Sequence, residues 1–376
     1  MARTKYKKKT IRGHEYYFHR LYHKNLLKPK DLYGKTIKEL EDKIRKELQR
    51  LDNNMDNTNI LFGEYFKLWL YDIKAPHLKK TTFSRYRDIY NNHIVKSDLV
   101  YKKVSSLKLH TIQSYYNNLF NNGMSNSMLK QIHKLIGSCI RYAYDNNIIT
   151  KDFTRGLVIP KNEEEENNIN PFTLEEQKAF ENAIKGEFYE VLFLTALYSG
   201  LRRGELLALT WNDIDFTNKT INVNKTIYRY RESKGVYKNI IQAPKTKNSK
   251  RLVDIPQKLV DILMDHKVKQ HEIYIKSFKS WINKYNLVFP NTKGGYINTA
   301  TPGTLLSRIL KINNIKHRRF HDLRHTYATR LFELGVNAKT VQTLMGHSDI
   351  RITLNTYTHV LEEVKKDSVS KLDSLF

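Results

Sequence analysis

HRRFHDLRHTYATRLFELG, residues 317–335, is the stretch on which the reading of this chain turns. It reads as one helix closed by Gly335, as a helix C-terminus is. His321 and Arg324 stand i, i+3 and therefore share a face. His321 and His325 stand i, i+4 with Asp322 after the first, a loose echo of the zinc-protease pattern HExxH. The echo fails at the acidic position, and the flanking positive charges oppose a cation.

Working outward, three other stretches carry chemistry. YSGLRRGELLALTWNDID, residues 198–215, has Gly200 ahead of a helical pattern of Leu201, Glu205, Leu206 and Leu209. That places Arg202 in a first helical turn, beside free backbone N–H groups and the positive dipole end. A guanidinium there adds bidentate phosphate recognition. Residues 220–230 alternate, 236–243 are rich in β-formers, and RLVDI follows, so three antiparallel strands are expected. PKTKNS, residues 244–249, is the turn joining the last two, and it presents Lys245 and Lys247. In VNAKTVQTLMGHSDIRITLNTYTHVLEEV, residues 336–364, Asn337 caps a short helix and Gly346 ends it. His347 then lies at the mouth of the next turn, and Tyr357 near the start of another helical stretch.

Together these residues describe one reaction. Two guanidiniums, Arg202 and Arg324, neutralise a phosphate, more strongly in its pentavalent transition state. A phenol oxygen attacks phosphorus and forms a covalent intermediate. A lysine protonates the departing 5′-oxygen. Histidines hydrogen-bond the phosphate and shuttle the phenol proton. No metal or other cofactor is required, because Arg and Lys supply the positive charge.

Composition agrees. The 376 residues hold 65 Lys+Arg against 38 Asp+Glu, a formal net charge of +27. Such a charge calls for a polyanion, most often nucleic acid. Residues 1–58, 59–160 and 161–376 are each basic, by +8, +9 and +10. The charge is thus no single tail on a neutral enzyme, and fits a protein that displaces counterions at many phosphates. No run of about 20 apolar residues occurs, which excludes a membrane-spanning helix. One cysteine, Cys139, excludes an intramolecular disulfide and a thiolate-rich zinc site, and points to reducing cytoplasm.

The chain divides by pattern into a multidomain protein, mainly α with small β-sheets. Residues 1–57 begin with six basic residues in the first dozen. The strand-like HEYYFHRLYHKN follows, then a helix marked by Ile37, Leu40, Ile44, Leu48 and Leu51. Residues 58–160 read as a four- or five-helix bundle. Leu129, Ile132, Ile136, Ile140 and Tyr144 form one core stripe there, and Lys79, Lys80, Arg85 and Arg87 a phosphate-contacting face. KNEEEENNINP, residues 161–171, is an acidic linker. Residues 172–376 are the catalytic domain with a C-terminal tail, whose apolar positions are Leu361, Val364, Leu372 and Leu375.

SGLRRGELLALTW, PKTKNSKRLVDIP, HDLRHTYATRLFELG and LMGHSDIRITLNTYTHV occur in that order. On these stretches the chain resembles the tyrosine recombinase (phage integrase) family. The resemblance implies Arg202 and Arg324 as phosphate clamp and Lys245 as general acid, with Lys247 a near competitor. It implies His321 and His347 as hydrogen-bonding and proton-transfer groups, and Tyr357 as nucleophile. It also implies an arm-type DNA-binding domain over 1–57, a helical core-binding domain over 58–160, and a mixed α+β catalytic domain. The core-binding and catalytic domains would form a C-shaped clamp on double-stranded DNA. Four protomers would act together on core and arm sites, linked through the C-terminal tail. An excisionase and a host DNA-bending protein would be accessory partners. The expected function is site-specific integration and excision of a mobile element or prophage, through a 3′-phosphotyrosine and a Holliday junction. Competing readings are a DNA-binding regulator without catalysis, and a resolvase or type IB topoisomerase using the same chemistry.

Overall fold

The computed structural model describes residues 6–22, 29–52, 60–161, 169–233, 235–243, 250–277, 281–357 and 369. The chain forms two compact units, Met1–Glu166 and Asn167–Phe376. Both are mainly helical with small antiparallel sheets, the class expected from the sequence.

The first unit opens with β1 (Lys7–Ile11), β2 (His14–Leu21) and β3 (Lys30–Gly34), paired antiparallel in that order. Ile11 pairs with His14, so the first hairpin turns in two residues. Its aromatic residues lie under cations: the Lys8 ammonium is 5.6 Å from the Tyr17 ring and that of Lys9 5.3 Å from Phe18. α1 (Ile37–Asp52) follows and buries Leu40 completely.

The helical part holds α2 (Phe62–Leu68), α3 (Lys80–Ile89), α4 (Leu109–Asn121) and α5 (Asn126–Asp145). α2 and α3 each run on into a π-helical turn, Trp69–Lys74 and Tyr90–Ile94. Aromatic side chains hold this core, with Phe66 stacked on Tyr90 at 5.4 Å and Trp69 edge-on to Phe66. On α5, Leu129, Ile132, Ile136 and Ile140 are buried, but Tyr144 is 42% exposed. Tyr144 therefore leaves the expected core stripe. Each step of four residues overshoots a 3.6-residue turn by about 40°, so successive steps carry the position off the face. Cys139 and Ala143, both fully buried, occupy the centre of the stripe instead.

The second unit is built on α7 (Glu190–Ser199), whose sequence EVLFLTALYS is apolar nearly all round and buried accordingly. α6 (Leu174–Ala183), α9 (Gln257–Lys276), α10 (Thr301–Ile312) and α11 (Phe320–Glu333) supply the remaining long helices. Phe172, Phe180, Phe193 and Phe320 form a continuous ring cluster between them. α8 (Arg203–Leu206), α12 (Ala338–Met345) and α13 (Ile350–Thr356) are short.

The strands depart from the expectation of one three-stranded run. β4 (Ile214–Asp215), β5 (Thr220–Val223) and β8 (Arg251–Asp254) form one sheet, and β6 (Thr226–Ser233) with β7 (Val236–Gln242) a separate hairpin. The alternating stretch 220–230 is broken at Asn224 and Lys225. Both side chains are tied to Asp213, Asn224 at 2.8 Å and Lys225 through an ion pair, which redirects the chain.

Candidate active site

Gly200 ends α7 in the left-handed conformation, φ 61°, at no Cβ cost. A Cβ there would stand 2.4 Å from the Tyr327 ring, so only glycine lets α7 and α11 approach. The turn it makes delivers Arg202. The expected long helix over 201–209 is only the one turn α8, and Arg202 is its N-cap rather than a first-turn residue. Its backbone N–H donates to Glu205 Oε2 and its Nη1 to Glu205 Oε1, both at 2.9 Å. Nη2 donates to Gly346 O at 2.9 Å. The side chain stays 35% exposed, so it remains able to meet a solvent-borne anion.

Glu205 is buried and shared. Arg251, 6% exposed, donates Nη1 and Nη2 to its two oxygens and Nε to Leu344 O. Burial alone would raise the Glu205 pKa, but the Arg251 and Arg202 charges and hydrogen bonds outweigh it and hold it below the usual carboxylate range. Sequence reasoning missed Glu205 and Arg251 as site residues. The available signal was Glu205 at i+3 from Arg202.

Arg324 projects from α11 and is 2% exposed. Nη1 donates to Gly200 O at 2.6 Å and Nη2 to Met345 O. It thus ties the end of α7 to the end of α12. Burial, then the Arg202 charge, pushes its pKa down to about 9, which leaves it charged at neutral pH. Arg202 and Arg251 hold the one carboxylate, and Arg324 feels its charge from its place at the Gly200 and Met345 carbonyls, so the cluster carries an excess of positive charge suited to a phosphate.

α11 begins at its cap, where Asp322 Oδ2 accepts from the Arg319 backbone N–H at 2.6 Å. Asp322, which stands where the zinc-protease echo would need glutamate, is a helix-capping residue. Among the described residues, no group of three or more His, Cys, Asp or Glu is placed to hold a metal. His321 is solvent-exposed on one side and meets the His325 ring edge-on, at 4.8 Å between centroids. Partial desolvation, then the Arg324 and Arg202 charges, lowers its pKa to about 4.

Asn337 caps α12 by accepting from Thr340 N at 2.9 Å, and Gly346 ends it in the left-handed conformation. His347 follows, with Nδ1 2.9 Å from Thr353 Oγ1 on α13. Desolvation and the Arg324 and Arg202 charges hold its pKa at about 3.

Tyr357 is the C-cap of α13, and the further helical stretch expected to begin near it lies outside the described residues. Asp349 accepts from Arg351 N and so starts that helix eight residues earlier, which leaves Tyr357 at its end. Its ring is fully buried with Ala328, Phe332, Val341 and Met345. Its Oη is 2.8 Å from His325 Nδ1. Burial raises the phenol pKa, and the Arg324 charge opposes the rise.

The structure thus brings Arg202, His321, Arg324, His347 and Tyr357 to one place, across the ends of α7, α11, α12 and α13. Lys245 and Lys247 lie outside the described residues, as does the C-terminal tail apart from Val369. Lys79, Lys80, Arg85 and Arg87 belong to the first unit. Lys79, Lys80 and Arg85 are exposed, while Arg87 is half-buried with its guanidinium 5.9 Å from the Phe83 ring.

Fold and site together define a phosphate-directed tyrosine enzyme, and comparison with known proteins gives its family. Residues 172–363 match the phage integrase family, and residues 61–120 the N-terminal SAM-like domain of phage integrases. The chain is 39% identical over 359 residues to a XerC-like tyrosine recombinase of Caldanaerobacter subterraneus, covering 92% of each protein. It is 26% identical to the integrase of Staphylococcus phage L54a, covering 89% of this chain and 99% of that one. Its fold matches that of the Tn1549 transposon integrase in complex with circular intermediate DNA, with a TM-score of 0.67 at 22% identity. That likeness covers 82% of this chain and 99% of the other. The chain belongs to the phage integrase family: it is a tyrosine recombinase, an enzyme that breaks and rejoins DNA.

Proposed function

We propose that the chain is the site-specific recombinase of a mobile element or prophage, acting in the cytoplasm in both integration and excision. One observation carries the site assignment: a buried tyrosine hydroxyl and an excess of guanidinium charge are built from the same four helix ends. Arg202 and Arg324 hold the scissile phosphate, and their charge counts for most when the pentavalent transition state gains negative charge. Tyr357 Oη attacks phosphorus and leaves a 3′-phosphotyrosine and a free 5′-hydroxyl. Lys245 protonates the departing oxygen. His321 and His347 donate to the phosphate oxygens. The covalent link conserves the phosphodiester energy, so no nucleotide cofactor is needed. Two rounds of exchange, through a Holliday junction, complete recombination.

In this reading residues 1–57 bind arm sites and 58–160 bind the core site, with Lys79, Lys80, Arg85 and Arg87 on the DNA backbone. Lys247 touches DNA from the β-turn. Four protomers assemble on two sites through their C-terminal tails, with an excisionase and a host DNA-bending protein setting direction. The experiment is incubation with a nicked suicide duplex carrying the element's core site. A covalent adduct on a denaturing gel, lost in Tyr357→Phe, is expected. An adduct undiminished in that variant overturns the nucleophile assignment.

A further inference from the structure

The hydrogen bond between His325 and Tyr357 gives His325 a place that the sequence reading assigned to other histidines. Tyr357 Oη lies 2.8 Å from His325 Nδ1; in the tautomer that carries the ring proton on Nε2, the phenol O–H donates and Nδ1 accepts. His347 has its own Nδ1 against Thr353, and His321 meets only the edge of the His325 ring among the described contacts. The rings of His325 and Tyr357 lie 5.8 Å apart, and Phe332 packs on the far side of Tyr357 at 5.4 Å. The phenol is thereby held against this one imidazole.

We propose that His325 is the base of the cleavage step, its Nδ1 taking the Tyr357 phenolic proton as Oη bonds to phosphorus. This rests on Tyr357 being the nucleophile. The Tyr357 O–H bond breaks and a His325 Nδ1–H bond forms. The bond from phosphorus to the 5′-oxygen breaks, its electron pair leaves with that oxygen, and the general acid supplies its proton. In rejoining, the 5′-hydroxyl returns its proton to the general acid as its oxygen attacks phosphorus, the bond from phosphorus to Oη breaks, and Oη recovers its proton from Nδ1.

The electrostatic setting supports this direction of transfer. His321, Arg324 and Arg319 face the ring from its own helix, His347 from the turn after α12, and Tyr357 from the end of α13. Desolvation, then the interactions with His321, Arg324, Arg319 and His347, holds the ring's pKa at about 3, so the ring is neutral before DNA arrives. A phosphodiester seated on Arg324 brings negative charge into the same cluster. That charge rises in the transition state, when the phenol must lose its proton, and so increases the ring's proton affinity at that moment.

The test uses the full-length protein, the nicked suicide duplex, and His325→Asn beside His325→Ala. Asparagine presents Oδ1 where Nδ1 was: it accepts the hydrogen bond but not the proton. Cleavage should slow on the order of 100-fold in both variants. A 5′-bridging sulfur leaving group, which relieves a missing general acid, should not restore the rate. A fluorinated tyrosine placed at 357, with a more acidic phenol, should restore it in part. Gel shifts and melting curves establish that His325→Asn still folds and binds the duplex. Cleavage by His325→Asn at close to the wild-type rate, or full rescue by the sulfur substrate, overturns the proposal. In either case loss of the adduct in Tyr357→Phe leaves the nucleophile reading standing, whereas an adduct in that variant removes both.

Discussion

Arg251 closes on Glu205 with both ends of its guanidinium, Nη1 3.2 Å from Oε1 and Nη2 3.0 Å from Oε2. Neither residue need touch DNA, yet this pair orients Arg202, because Glu205 also accepts from the Arg202 backbone and Nη1. Removing the carboxylate leaves Arg251 buried without its counter-charge. Glu205→Gln should therefore destabilise the second unit by about 3–5 kcal/mol, the usual consequence of orphaning a buried charge. The double variant Glu205→Gln with Arg251→Met should lose less than the sum of the single changes. Urea titrations followed by hydrogen exchange in α11 check both.

Gly200→Ala should be among the most damaging single-methyl changes in the chain. The left-handed backbone costs a non-glycine residue roughly 1–2 kcal/mol. The added Cβ would also meet the Tyr327 ring at 2.4 Å. Because Gly200 O is the acceptor for Arg324, any shift of this turn moves the guanidinium proposed to clamp the phosphate. We expect lower thermal stability and a larger loss of strand cleavage than of DNA binding. Adding Tyr327→Ala should recover part of the stability, since it removes the clash and leaves the backbone strain.

Stability of the second unit should fall as pH drops from 7 towards 4. His325 and His347 have folded pKa values near 3 against 6.5 for a free histidine. Between those values the unfolded chain binds the extra protons, so the neutral rings stabilise the fold above pH 6.5, and that stability is lost on acidification. Each half-buried ring contributes at most about 1.4 kcal/mol per pH unit within the window. Glu205, with its pKa lowered, adds a loss of the same sign, starting below the ordinary carboxylate value of 4.5. Melting temperatures measured from pH 7.5 to 4.5 test this. A His347→Asn variant should show a shallower decline than the wild type.

Lys79→Ala combined with Lys80→Ala should weaken DNA binding without changing the rate of the chemical step. Both side chains are exposed at the start of α3. If each neutralises one phosphate, the slope of log affinity against log salt should become shallower by about 1 per lysine. Fluorescence anisotropy across a salt series measures the slope, and single-turnover cleavage at saturating protein measures the chemistry.

Local rules account for much of what could be read in advance. The ends of α12 were legible because Asn337 and Gly346 act within a few residues of themselves. So was the sheet-plus-helix start of the chain, since alternation and a 3.6-residue stripe are local patterns. Misreadings arose where a distant side chain decided the matter. Asp213 divided residues 220–230 between two sheets. Tyr144 failed as a core residue because small phase errors accumulate along a helix.

By itself the sequence determined the family and the basic character of every segment, and it nominated Arg202, Arg324, His321, His347 and Tyr357, on which the reaction is proposed to run. These follow from residue type and order, and four motifs in sequence are specific enough to carry them. Only the tertiary structure decided how those residues meet. It placed Arg324 between the carbonyls of Gly200 and Met345, paired Arg251 with Glu205 behind Arg202, and chose His325 as the partner of Tyr357. His325 and Tyr357 are separated by 32 positions, Arg324 and Gly200 by 124. No local pattern specifies contacts of that range. They arise because α7, α11, α12 and α13 bury one another's apolar faces, and their polar ends must then find partners where the packing has put them.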